Sequence, residues 1–189
     1  ASSVVVYGVN NKPLKENFDL NPVSYYAVIK LICENISKFY SKNFNLNVGI
    51  LRIFSTFGPG LRRQVVFDTI KKIKNLKKFK VYGDGSEKRN FSYIDDQVKG
   101  IFLHKDCNEE ILNIGTGKLT TIKKIIQISK KIMKFNNKIR FIRPKKTLDV
   151  NRGMSIKKAK SLTGWSIKNK FINIEKGLKK TIDDMYKNK

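Results

Sequence analysis

Pro22-Val23-Ser24-Tyr25-Tyr26-Ala27-Val28-Ile29-Lys30-Leu31-Ile32-Cys33-Glu34-Asn35 is the stretch whose reading decides the fold. Ser24 suits a helix N-cap, because its hydroxyl can accept from a first-turn amide that has no partner inside the helix. Val28, Leu31, Ile32, Asn35 and Phe39 then fall on related faces and predict a helix from 24 to about 41. The apolar run over 45–54 predicts a strand, ended by the breakers Phe57-Gly58-Pro59-Gly60. Toward the N-terminus, the β-branched Val4-Val5-Val6 predicts a strand with no lead-in, followed by a loop over 8–22 that holds two prolines. A strand at the very start predicts a chain cut inside a domain. Toward the C-terminus the alternation continues: helix 63–76, strand 79–82, the turn Gly83-Asp84-Gly85, strand 91–94, helix 95–103 and strand 111–114 ending at Gly115-Thr116-Gly117. A helix capped by Thr120 or Thr121 runs to about 133, then come strand 138–142 and closing helices over 155–162 and 174–186. Strands alternating with helices predict an α/β protein with a parallel sheet.

The 189 residues are 40% hydrophobic, enough to bury a core. Apolar runs such as 48–54 are too short to cross a bilayer, and the opening residues show no basic leader or cleavage pattern. Cys33 and Cys107 lie far apart without a CxxC spacing, and His104 is the one histidine. A disulfide framework, a zinc or other metal site and a histidine triad are therefore not expected, and a reducing cytoplasm is. The net charge is +25. Its lysines are scattered over most of the chain and arginine is scarce, which predicts a lysine-coated surface with weak, non-specific nucleic-acid binding at low salt. A basic nucleic-acid-binding module remains the rival from another class.

Tyr26 and Lys30 stand four residues apart, so both side chains lie on one helix face, a turn apart. A phenol with a reference pKa of about 10 is a poor base at neutral pH, and a neighbouring ammonium favours its charged form. A tyrosine adjusted this way can take a proton from a sugar hydroxyl while hydride leaves the same carbon. Ser3, at the end of the preceding strand, can bridge the substrate hydroxyl and the tyrosine. With 7 tyrosines and many lysines, the spacing alone arises by chance about once, so the surrounding residues must carry the assignment. Asp95 and Asp96 read as the start of a helix, where negative charge suits the dipole. His104 reads as a helix-end residue and Trp165 as a packing anchor.

Those surroundings are Ser2-Ser3-Val4-Val5-Val6-Tyr7-Gly8, Ser24-Tyr25-Tyr26 through Lys30 and Glu34, Leu51-Arg52-Ile53-Phe54-Ser55-Thr56-Phe57-Gly58-Pro59-Gly60, Val81-Tyr82-Gly83-Asp84-Gly85, Arg89-Asn90-Phe91-Ser92-Tyr93-Ile94-Asp95-Asp96, Asn113-Ile114-Gly115-Thr116-Gly117 and Gly164-Trp165. In this order they closely resemble the extended short-chain dehydrogenase/reductase family of NAD-dependent nucleotide-sugar epimerases and dehydratases, in particular UDP-glucose 4-epimerase-like members. The resemblance implies the second half of a Rossmann-type sheet domain over 1–57 and a smaller substrate domain over 58–189, with 111–117 returning to the sheet. It implies Ser3, Tyr26 and Lys30 as catalytic, Tyr26 and Lys30 also as NAD-binding, and Ser3, Ser55, Arg89 and Arg152 as substrate-binding. A guanidinium such as Arg89 suits the diphosphate of a nucleotide-diphosphate sugar. A homodimer of the full-length protein, formed through the helix of Tyr26 and Lys30, is implied as well.

Dehydratases of the family carry Asp-Glu after the catalytic Ser or Thr, and decarboxylating relatives place a Glu there. Here Val4 and Val5 follow Ser3, which favours C4 epimerisation through a 4-keto intermediate; a dehydratase or reductase is the alternative. The family's Gly-rich turn between first strand and helix is not found, nor is the acidic residue for the adenosine ribose. Gly83-x-Gly85 and Gly115-x-Gly117 lack its third glycine and belong to later family blocks. The chain alone is therefore expected neither to bind NAD tightly nor to turn over substrate, and an inactive remnant is a further alternative. Missing sheet strands would leave an apolar edge and face uncovered.

Overall fold

The protein is described by a computed structural model over residues 1–10, 12–76, 78–107, 110–142, 153–165 and 171–187. A two-residue strand β1 (Ser2–Ser3) precedes the long helix α1 (Tyr25–Phe44), and β2 (Ile50–Ile53) follows. Then come β3 (Ser55–Phe57), α2 (Gln64–Asn75), β4 (Phe79–Tyr82), β5 (Lys88–Tyr93), α3 (Ile94–Leu103) and β6 (Ile111–Ile114). The chain closes with β7 (Leu119–Thr121), α4 (Ile122–Ile132), β8 (Ile139–Ile142), α5 (Lys157–Thr163) and α6 (Ile174–Lys187).

The parallel pairing expected from the alternation is present. β1, β2 and β6 form one sheet, β3, β5 and β7 a second, and β4 and β8 a third pair. All these ladders are parallel except β5 with β7, where Arg89 faces Thr120. β6 returns across more than fifty residues of chain to lie beside β2, with Arg52 opposite Asn113 and Ile53 opposite Ile114.

Three expectations need correction. The strand expected over 45–54 is confined to Ile50–Ile53, and Phe57, read as the first breaker, closes the separate strand β3. Val4 to Val6 are not a strand: Val4–Tyr7 winds into a 3-10 turn directly after β1. The β-branched residues serve burial rather than a ladder, since Val4, Val6 and Tyr7 pack with Leu14, Phe54 and Met154. Gly8 makes the turn's exit possible, with φ 69 and space so tight that a Cβ would sit 2.0 Å from the Asn21 carbonyl oxygen. Leu119–Thr121, read only as a helix cap, is also a short strand. Thr121 does both, closing β7 and accepting from the Lys124 amide at 3.1 Å to cap α4.

The main core lies between the second sheet and α2, α4 and α6, where Phe57, Ile70, Phe91, Ile122, Ile125, Leu178 and Ile182 meet. On α4 the burial follows the sequence pattern. On α1 it does not. Ala27 and Glu34 are its buried residues, while Val28, Ile32 and Phe39, three of the residues that mark it as a helix, are exposed.

Candidate active site

Ser3 ends β1 in extended conformation, φ −145 and ψ 149, at the point where the chain turns out of the sheet. Beside it α1 starts at Ser24, whose hydroxyl accepts from the Ala27 amide at 3.2 Å. That cap fixes where the first turn begins and so where Tyr26 projects. Tyr26 is 50% exposed. Lys30, one turn on, places its ammonium 5.9 Å from the centre of the Tyr26 ring and donates to the Ala1 carbonyl at 3.2 Å. Ser55 opens β3, which pairs with β5, the strand carrying Arg89. Arg89 directs Nε and Nη2 to one oxygen of Glu87, at 2.9 and 2.7 Å.

A cleft of about 320 Å³ is lined by Ser3, Tyr26, Ser55 and Arg89 together with Val4, Val5, Arg63 and Gln64. The fold thus gathers four of the expected residues, from β1, α1, β3 and β5. Lys30 stands behind Tyr26 and does not line the cleft, and Arg152 lies outside the described residues. Two arginines and no carboxylate line the cleft among the described residues, so the lining favours an anion. Gln64 opens α2 with φ 76, a conformation a side chain rarely takes, at a cost on the order of 1–3 kcal/mol. Neither Arg63 nor Gln64 carries a sequence signal that marks it.

A buried polar network under α1 also escaped the sequence reading. Glu34 accepts from Ser2 at 2.5 Å and from Arg52 at 2.9 and 2.7 Å. The Arg52 guanidinium lies 4.7 Å from the Tyr7 ring centre, and the Tyr7 hydroxyl donates to Asn113 at 2.8 Å. Burial works to raise the Glu34 carboxyl, but the hydrogen bonds of Arg52 and Ser2 and the charge of Arg52 outweigh it and hold the group below its ordinary range. Burial pushes the Tyr7 phenol up despite Arg52. The signal was present in the sequence: an arginine inside an apolar strand needs a partner, and an acid on a largely apolar helix is one.

The remaining polar candidates have structural surroundings. Asp96 sits in the first turn of α3, buried, and accepts from the Ile172 amide at 2.7 Å; burial raises its carboxyl. His104 ends α3 with its ring between the Gly100 carbonyl at 2.6 Å and the Thr163 hydroxyl at 2.9 Å. Trp165 is buried and donates to the Gly115 carbonyl at 2.9 Å, which anchors the chain after α5 against β6. Among the described residues no helix is long and apolar enough to cross a membrane.

A family model described as the NAD dependent epimerase/dehydratase family matches residues 1–115. The chain belongs to that family. A UDP-glucuronate 4-epimerase from Thermodesulfobacterium geofontis is 33% identical over 187 residues, covering 97% of this chain and 57% of its own length. A putative UDP-glucose 4-epimerase from Methanocaldococcus jannaschii is 30% identical over 193 residues, covering 100% and 62%. A crystal structure of UDP-glucuronic acid 4-epimerase from Bacillus cereus, in complex with UDP-glucuronic acid and NAD, superposes with a TM-score of 0.85 at 28% identity, over 98% of this chain and 60% of that one. The chain therefore spans about three fifths of the proteins it matches. The residues of this epimerase/dehydratase chain fit NAD in part. Tyr26 and Lys30 present a hydroxyl and an ammonium on one helix face, suited to a ribose. The glycine turns at 83–85 and 115–117 link strand to strand, β4 to β5 and β6 to β7, and neither offers the helix N-terminus that a pyrophosphate prefers.

Proposed function

We propose that these residues form the catalytic and substrate-facing part of an NAD-dependent nucleotide-sugar 4-epimerase. The observation that carries the reading is the cleft itself. Ser3, Tyr26, Ser55 and Arg89 share it, while Val4 and Val5 occupy the wall beside Ser3 where a dehydratase needs a proton donor. Bound NAD supplies the chemistry of accepting the C4 hydride and returning it. The Tyr26 oxygen takes the C4 hydroxyl proton as the hydride leaves and gives it back when the turned keto sugar is reduced. Lys30, one turn along the same helix face, is placed for the ribose of NAD, and the Ser3 hydroxyl steadies the C4 oxygen. Arg89 exchanges its partly buried Glu87 partner for the substrate diphosphate. Arg152 is proposed for the same diphosphate.

The exposed apolar side of α1, with Tyr25, Ile29, Ile32, Ile36 and Tyr40, supports the expected homodimer of the full-length protein through this helix. The reaction is tested by incubating the full-length gene product with NAD and UDP-glucose or UDP-glucuronate and following products by proton NMR. Appearance of the C4 epimer supports the proposal; accumulation of a 4-keto-6-deoxy sugar contradicts it.

A further inference from the structure

We propose that the buried Glu34–Arg52 pair is the positioning device of this cleft: it fixes the rotation and height of α1 on the sheet and thereby sets Tyr26 against Ser3. The inference rests on the reading of Tyr26 as the proton-transferring group. α1 is seated in an unusual way. Its inward contacts are the Ala27 methyl, the partly buried Leu31 and the Glu34 carboxylate, while its isoleucines and several aromatics point outward. Apolar burial alone does not select this orientation, since most of the helix's large apolar side chains lie on its exposed face. What selects it is polar geometry. One Glu34 oxygen accepts from both Ser2 and Arg52 Nε, and the other accepts from Arg52 Nη2.

Both partners belong to the sheet, and one adjoins the cleft. Ser2 precedes Ser3 in β1 and stands in register with Arg52 of β2. Arg52 cannot swing away easily, because Nη1 donates to the Glu16 carbonyl at 3.2 Å and the guanidinium lies against the Tyr7 ring. The network is thus closed on every side, the condition under which a buried charge pair specifies one arrangement. Tyr26 lies eight residues from Glu34, about 12 Å along the same helix. Its oxygen stands on the order of 5 Å or more from the helix axis, so a rotation of about 10–15° moves it by about 1 Å. A displacement of that size at a reacting group can lower a rate by about 100-fold.

The test compares Glu34→Gln, the double variant Glu34→Leu/Arg52→Met and Tyr26→Phe in the full-length gene product, with NAD and UDP-glucose or UDP-glucuronate. Urea unfolding is measured beside kcat and KM. Replacing a whole buried ion pair by apolar side chains preserves or raises stability, so the double variant separates folding from positioning even where Glu34→Gln does not fold. The expected result is a near-native urea midpoint for the double variant with kcat about 100-fold down and KM within about threefold. Native kcat in the double variant, with Tyr26→Phe inactive, overturns this inference alone and leaves the pair a stabilising one. Native kcat in Tyr26→Phe overturns the reading of Tyr26, and this inference with it.

Discussion

α4 buries Ile122, Ile125, Ile126 and Ile128 and turns Lys123, Lys124 and Lys131 to solvent. α1 buries Ala27 and Glu34 and leaves Tyr25, Ile29, Ile32, Ile36, Phe39, Tyr40 and Phe44 exposed. Both helices are capped at their N-termini by a hydroxyl, Thr121 and Ser24, and both lie against a sheet. They differ in what surrounds them. The elements that cover α4, namely α2, α6 and the second sheet, all belong to the described chain. The apolar side of α1 faces nothing in it. Helical periodicity reports that a face is apolar, and only the neighbours decide whether that face looks inward.

The sharpest way to break this comparison is the buried charge. Glu34→Leu alone strands Arg52 and is expected to cost about 3–5 kcal/mol in urea unfolding; a cost under 1 kcal/mol would mean that α1 is seated by something else. Next come paired isoleucines. Ile125→Ala on α4 is expected to cost about 2–5 kcal/mol, and Ile32→Ala on α1 less than about 0.5 kcal/mol in the monomeric chain. Equal costs would show that the α1 face is covered in solution.

Acid sharpens the contrast further. The Glu34 carboxyl is held below its ordinary 4.5, so its stabilisation is complete above that value and is lost as pH falls through the lower folded-state pKa. Asp96 acts in the opposite sense. Burial holds its carboxyl above the ordinary 3.8, so the penalty of folding with it charged is relieved as pH falls. Below pH 4.5 the urea midpoint should therefore decline less steeply in Glu34→Gln than in the native chain, and more steeply in Asp96→Asn. The smallest effect belongs to α4, whose one buried hydroxyl, Ser129 Oγ, has no hydrogen-bond partner among the described residues. Ser129→Ala is expected to raise stability by about 0.5–1 kcal/mol, the reverse of the change at the fully paired Glu34.

The class of fold was legible because strand and helix patterns alternate and because Gly and Pro mark their ends. Ser24, Thr121 and the breakers at 57–60 placed boundaries to within a few residues. Val4–Val6 misled because β-branched residues fit a buried turn as well as a ladder, and nothing local tells the two apart. β7 was hidden because three residues carry too little periodicity to register. In the cleft, Ser3, Tyr26, Ser55 and Arg89 were legible through family motifs rather than through spacing, and the structure brings them to one place. Arg63, Gln64 and the network around Glu34 were not read. The first two depend on how α2 begins, and the last joins residues from five separate elements.

The account stands most directly on Tyr26. Conversion of UDP-glucose and UDP-glucuronate to their C4 epimers, followed by proton NMR in the full-length gene product and its Tyr26→Phe variant, measures it. The account predicts epimer formation in the native protein and a loss of about 100- to 10,000-fold in kcat for the variant, with KM little changed. Epimerisation at a native rate in Tyr26→Phe would contradict it.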